Sequence, residues 1–154
     1  MKGLYPSLQM ISGSQTTIQM LGWWEYAQKY PERTRQCRVA IKLLYSCHRL
    51  KSCKFRNKET ADPFCDKCDS MYVESAEHIL FACPVDKEKR ETLIHQLERV
   101  CPPALYSCFM SMSMTEKTEF FLSGMHNIFV PEWAQIYSTI LDYINDVYFT
   151  RGIT

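Results

Sequence analysis

Residues 62–84 read Asp62-Pro63-Phe64-Cys65-Asp66-Lys67-Cys68-Asp69-Ser70-Met71-Tyr72-Val73-Glu74-Ser75-Ala76-Glu77-His78-Ile79-Leu80-Phe81-Ala82-Cys83-Pro84. The reactive groups in this stretch form the pattern C-x2-C-x9-H-x4-C, from Cys65 and Cys68 to His78 and Cys83. Three thiolates and one imidazole are the donor set that a four-coordinate zinc ion takes in a closed structural site. Two residues between Cys65 and Cys68 allow a tight turn to aim both sulfurs at one point, and Asp62-Pro63 and Asp66 are turn formers. The second half predicts a short helix, with Ser75 as its cap and Pro84 stopping it directly after Cys83. Residues 78 and 83 lie about 140° apart on an ideal helix. Cys83 is therefore expected to approach from the frayed end while His78 points in from the first turn. A redox role for the C-x-x-C pair would call for a thioredoxin-like βαβ context, which the flanking sequence lacks. With four protein donors and no position left for water, the site is expected to be structural.

The run from Ala61 to Leu93 resembles the zinc-binding segment near the C-terminus of non-LTR (LINE-type) retrotransposon polyproteins. The similarity rests on the Ala-Asp-Pro-Phe entry to C-x-x-C and on a core of Glu74, Glu77, His78, Ile79, Leu80, Phe81, Cys83 and Pro84, with Arg90 and Leu93 beyond. In that family a Cys-Cys-His-Cys zinc knuckle follows the reverse transcriptase and helps to hold template RNA or target DNA. The resemblance implies a retroelement-derived module bearing that knuckle. Nothing in the chain resembles polymerase, endonuclease or RNase H catalytic motifs.

The whole chain has 154 residues, enough for one domain with a real core. Nine tyrosines, eight phenylalanines and three tryptophans mark a globular chain, and only five glycines argue against a turn-rich β-sandwich or barrel. The fold class expected is mainly α, a small helical domain organised around one structural zinc knuckle. Residues 1–14 are read as an extended lead-in, 15–101 as the helical knuckle module, and 102–154 as a C-terminal helical segment packed on it, a single domain overall. No apolar run reaches membrane-spanning length and Met1 is not followed by a secretory pattern. With three of the eight cysteines assigned to metal, a reducing intracellular compartment, nuclear or cytoplasmic, is expected. Cys37, Cys47, Cys101 and Cys108 are read as small buried hydrophobes, and Cys53 as a surface residue.

The net charge of +1 conceals strong segregation. Between Lys29 and Lys58 ten Lys and Arg face Glu32 alone, whereas from Pro102 onward five acids outnumber two bases. Pro31 opens a helix expected to run to about Arg49. On it Cys37, Ala40, Ile41, Leu44, Cys47 and His48 share an apolar face. Arg35, Arg38, Lys42 and Arg49 share the opposite one, with Tyr45 at its edge. A solvated face usually mixes its signs, and this one interleaves no acid. Lys51, Lys54, Arg56 and Lys58 continue the basic character through residues 50–62, read as a loop between helix and metal. The expected function is therefore a non-catalytic module gripping RNA or DNA through phosphate contacts, with single strands favoured over duplex because aromatic residues lie nearby.

Before the basic helix, Gln15 to Ala27 predicts a helix in which Trp23 belongs to the core, while Trp24 is open between core and stacking surface. Beyond the knuckle, Val85 to Val100 predicts a helix with Leu93, Ile94, Leu97 and Val100 inward. A short extended piece carrying Met110, Met112 and Met114 comes next, then a helix capped by Thr115. Pro131 to about Arg151 holds the cleanest amphipathic pattern, and exposed Trp133, Tyr137 and Tyr148 there would make the chain a protein-interaction adaptor instead. Carboxylates are expected mainly at helix starts and exposed faces, with no paired acid motif, phosphate loop or nucleophile elbow, so no enzymatic role is expected. The H-x-E signature of zinc deaminases is absent from His78-Ile79-Leu80.

Overall fold

The computed structural model describes residues 22–45, 50–69, 71–123 and 131–152. The lead-in at residues 1–14 and the start of the first helix lie outside the described residues. So do Cys47, His48 and Arg49.

Seven α-helices are described: α1 Gly22–Lys29, α2 Thr34–Leu44, α3 Lys51–Arg56, α4 Lys87–Val100, α5 Pro103–Ser111, α6 Met114–Ser123 and α7 Pro131–Thr150. No strand occurs among the described residues, only one antiparallel bridge between Phe64 and Val73. Proline repeatedly marks where helical structure starts. Pro31 and Pro84 open 3-10 turns that run into α2 and α4, and Pro103 and Pro131 open α5 and α7. At those positions the missing N–H costs nothing and the fixed φ suits the helix.

The longest helix, α7, forms the spine. It packs along α2 and α4, while α2 also packs on α1 and α6. Ile136, Tyr137, Ile140, Leu141, Ile144, Val147 and Tyr148 are all buried, so the helix is gripped on most of its circumference. Tyr137 lies at the centre, stacked on Tyr26 at 5.2 Å and meeting Trp23 edge-on at 5.2 Å. Trp23 is fully buried and donates its indole N–H to the Phe121 carbonyl at 2.8 Å, whereas Trp24 is 41% exposed. One cluster of buried side chains runs from Trp23 to Tyr148, drawing on both sides of residue 101.

Three local expectations are corrected. Residues 51–56 are helical, not loop. The helix ends in a Schellman arrangement, Glu59 N–H to Lys54 C=O at 2.7 Å and Lys58 N–H to Phe55 C=O at 3.0 Å. Lys58 takes the left-handed conformation there (φ 61°) where glycine is usual, so the glycine that would mark a helix end is missing and Asn57 alone signals the turn. Residues 103–111 form α5, and Met110 lies on that helix rather than on an extended piece. The cap of α6 is Ser113, not Thr115. Ser113 Oγ accepts from the Glu116 N–H at 3.1 Å and Glu116 Oε1 accepts from the Ser113 N–H at 3.1 Å, a reciprocal capping box.

Candidate metal centre

Between α3 and α4 the chain makes a compact fold that gathers four candidate metal ligands. The Cys65 N–H donates to the Tyr72 carbonyl at 2.8 Å and the Glu74 N–H to the Pro63 carbonyl at 2.9 Å. These bonds zip residues 63–65 to 72–74 and bring the C-x-x-C turn over the next helical turn. Asp62 Oδ1 accepts from the Phe64 N–H at 3.0 Å, an Asx-type turn that fixes the entry. Met71 returns the chain through the left-handed region (φ 59°). Ser75 caps as expected, its Oγ accepting the His78 N–H at 3.2 Å.

Residues 78–82 then adopt a π-helical turn, closed by the Cys83 N–H donating to the His78 carbonyl at 2.7 Å. An i→i+5 bond widens the turn by one residue. It resolves the mismatch of a five-residue spacing on a 3.6-residue helix, and it places His78 and Cys83 side by side without fraying. Pro84 ends this turn and opens the next.

The donor atoms of Cys65, Cys68, His78 and Cys83 all lie within 4.8 Å of one another. Cys65 Sγ is 4.0 Å from Cys83 Sγ, and Cys68 Sγ is 3.4 Å from His78 Nε2. A tetrahedron with metal–sulfur bonds of about 2.3 Å and metal–nitrogen bonds of about 2.0 Å has edges of about 3.5–3.8 Å. The four side chains thus already stand close to the spacing that a zinc ion requires. All four cysteine and histidine positions expected as ligands are brought together. Cys65, His78 and Cys83 are buried and Cys68 is half-buried. Burial, helped by Arg151, holds the His78 imidazole below its ordinary pKa, which keeps it in the neutral form that binds metals. Burial also pushes the Cys65 thiol up in the metal-free site. His78 Nδ1 is buried without a hydrogen-bond partner, which leaves Nε2 as the nitrogen facing the sulfurs.

A group that sequence reasoning missed completes the centre. Arg151, just past the end of α7, is buried against the sulfurs. Its Nη1 lies 3.4 Å from Cys83 Sγ and 2.7 Å from Asp86 Oδ2. Its Nη2 lies 3.0 Å from Cys65 Sγ and 3.4 Å from Glu74 Oε2. Burial alone would lower the guanidinium pKa, but hydrogen bonds to Cys83 and Asp86 outweigh it and raise it further. Glu74 and Asp86 are themselves buried, which corrects the expectation that carboxylates sit on exposed faces. Glu74 is further held by the Lys51 N–H at 3.0 Å. The available sequence signal was the register of α7. Ile140, Ile144, Val147 and Arg151 succeed one another at four, three and four residues, so Arg151 prolongs the apolar face.

Around the centre, Arg90 donates to the Cys83 carbonyl at 2.8 Å, and the Tyr143 hydroxyl donates to the Leu80 carbonyl. Cys53 is buried, not at the surface, because the inner side of α3 faces the domain.

The basic residues divide. Arg35, Arg38 and Lys42 are exposed along α2, Tyr45 is 65% exposed at its end, and Arg56 and Lys58 are exposed at the end of α3. Lys54 is half-buried. Lys51 is also half-buried, and its ammonium is committed to Asp62 at 3.1 Å. The adaptor surface is not formed. Tyr137 and Tyr148 are buried, and Trp133 is half-buried against the core, because α7 is embedded rather than laid on the outside.

No family model, no curated protein and no solved structure matches this chain.

Proposed function

We propose that the chain is a non-catalytic, zinc-stabilised nucleic-acid-binding module of retroelement origin, working in the nucleus or cytoplasm. The sulfur-rich donor set and its near-tetrahedral edges favour zinc over the oxygen-loving cations. All four coordination positions are filled by protein, which leaves none for water or substrate and supports a structural role. The resemblance of residues 61–93 to the knuckle of LINE-type polyproteins supports the same assignment.

The observation that carries the nucleic-acid reading is the exposed row Arg35, Arg38 and Lys42 on α2, none of them ion-paired among the described residues. Three cations spaced along one helix, with no acid in α2, suit a phosphate backbone. Arg56 and Lys58 at the end of α3 offer a second set of contacts. Flat side chains are also exposed, Tyr45 at the end of the α2 row, Phe55 among the α3 cations, and Tyr72 near the cluster with its ring 6.1 Å from that of His78. Such platforms favour unpaired bases over duplex.

The test is a salt titration of the zinc-loaded chain binding labelled single-stranded RNA, single-stranded DNA and duplex DNA. Arg35→Glu/Arg38→Glu/Lys42→Glu and Lys54→Glu/Arg56→Glu/Lys58→Glu run as separate arms. Binding should weaken steeply with salt. The α2 variant should flatten the log–log slope by about 2, from three phosphate contacts worth about 0.7 each on a single strand. Absence of binding to all three probes at low salt overturns the reading.

A further inference from the structure

We propose that Arg151 is the counter-charge of the metal centre, and that through it metal occupancy and the seating of the end of α7 are one event. The proposal rests on the zinc reading above and goes beyond it, by assigning a positioning residue 68 positions away from the nearest ligand in sequence.

Charge is the first consideration. Three thiolates and a neutral imidazole around a divalent ion carry a net charge of −1. Glu74 and Asp86 bring the buried group to −3, and Arg151 is the only buried cation touching both the sulfurs and these carboxylates among the described residues. Lys89 approaches one member of this group, Asp86 Oδ1 at 3.8 Å, from a partly exposed position, and is shared with Asp146 and Thr150. Buried charge of one sign is tolerated only when it is matched nearby.

Geometry makes the match specific. Each terminal guanidinium nitrogen serves one sulfur and one carboxylate, Nη1 for Cys83 and Asp86, Nη2 for Cys65 and Glu74. Four N–H groups thus meet four acceptors. A lysine ammonium, a point charge with three donors, cannot reproduce that planar fork. Hydrogen bonds to coordinating sulfurs and their neighbours orient the ligands and tune the metal.

Chain geometry supplies the coupling. Gly152 takes φ 72°, in the left-handed region, directly after Arg151, and its N–H donates to the Phe149 carbonyl at 3.1 Å. The helix therefore closes at the residue that grips the centre. Pulling metal from the site removes the charge that arranges the Cys65 and Cys83 sulfurs around Arg151, and with it the anchor of the last turn of α7.

The experiment uses the full chain in three steps. Zinc titration first establishes one-to-one uptake, and failure there overturns the zinc reading itself, before any variant is considered. Zinc release to an excess of a chelating dye is then timed for wild type, Arg151→Lys and Arg151→Met/Glu74→Gln/Asp86→Asn. The triple variant discharges the cluster as a whole, so that it folds without stranded carboxylates. Both variants should release zinc at least tenfold faster than wild type while keeping the wild-type circular dichroism. In the cobalt-substituted forms, the sulfur-to-metal charge-transfer band should move to longer wavelength as N–H···S bonds are lost. Finally, hydrogen exchange at residues 147–151 should accelerate when wild type is stripped of zinc. Release within twofold of wild type in the folded triple variant, or exchange at 147–151 indifferent to zinc, overturns the proposal.

Discussion

Arg38 and Arg151 are the same side chain put to opposite uses. Arg38 stands in solvent on α2 and needs nothing but its own helix to be placed there. Arg151 is buried to 7% exposure and meets acceptors contributed by Cys65, Glu74, Cys83 and Asp86, separate stretches of chain drawn together around the Cys3His cluster. An exposed guanidinium keeps its water and is available to a partner. A buried one has traded that water for fixed acceptors, and removing either side strands the other. The two arginines should therefore separate completely in experiment, Arg151 governing stability and Arg38 binding.

The largest effect is expected at the metal ligands. Cys83→Ser should abolish one-to-one zinc uptake, and loss of a structural metal belongs among the changes that exceed about 4 kcal/mol. At about 2–4 °C per kcal/mol for a domain of this size, the melting temperature should fall by roughly 10 °C or more. Chelation of the wild type should reproduce that fall. A melting curve unmoved by either treatment would show that the helical core alone holds the domain. Next comes Arg151→Met, which leaves Glu74 and Asp86 buried without their cation. A loss of about 3–5 kcal/mol is expected, with part of it recovered by adding Glu74→Gln and Asp86→Asn. Chemical denaturation of the single and triple variants measures that recovery, and simple additivity of the losses would break the contrast with Arg38.

Smaller effects sharpen it from the other side. Ser113→Ala removes one half of the capping box on α6, and a cost of about 1 kcal/mol is expected from thermal melts. Arg35→Glu/Arg38→Glu/Lys42→Glu should leave stability within about 0.5 kcal/mol, since surface substitutions away from special features seldom do more. Nucleic-acid affinity of that variant should nevertheless fall by at least about tenfold, if each phosphate contact contributes as electrostatic contacts ordinarily do. A stable variant with unchanged affinity would move the binding surface away from α2.

How much of this was legible depended on whether the signal was local. The four ligands were, because C-x-x-C and H-x4-C are short-range spacings that a turn and one helical turn must satisfy. The prolines at residues 31, 84, 103 and 131 all open helical structure, but only the first and last were read that way. Pro84 is read from sequence only as a stop and Pro103 carries no separate reading, since a proline can end one helical segment and open another at the same point. The helix at 51–56 escaped because Lys58 fills a position where a glycine would have announced the end. The Ser113 cap escaped because Thr115 is an equally good capping residue two positions on, and only the hydrogen bonds distinguish them.

A helical class, a Cys3His cluster with metal-ligand spacing and a basic α2 without acids come from residue order alone, because spacing and helical period act within a few residues of chain. Packing alone decided that the aromatic face of α7 is interior rather than a docking surface, since amphipathicity says that a face is covered and not by what. The same holds for the five-residue gap from His78 to Cys83. Its π-helical turn is set by the need to bring two donors to one point, against the ordinary helical period. Arg151 is the clearest case. The register of α7 turns it inward, but nothing nearby in sequence supplies its acceptors, which lie 65 to 86 residues away. Only the folded chain brings the acceptors that make its burial tolerable.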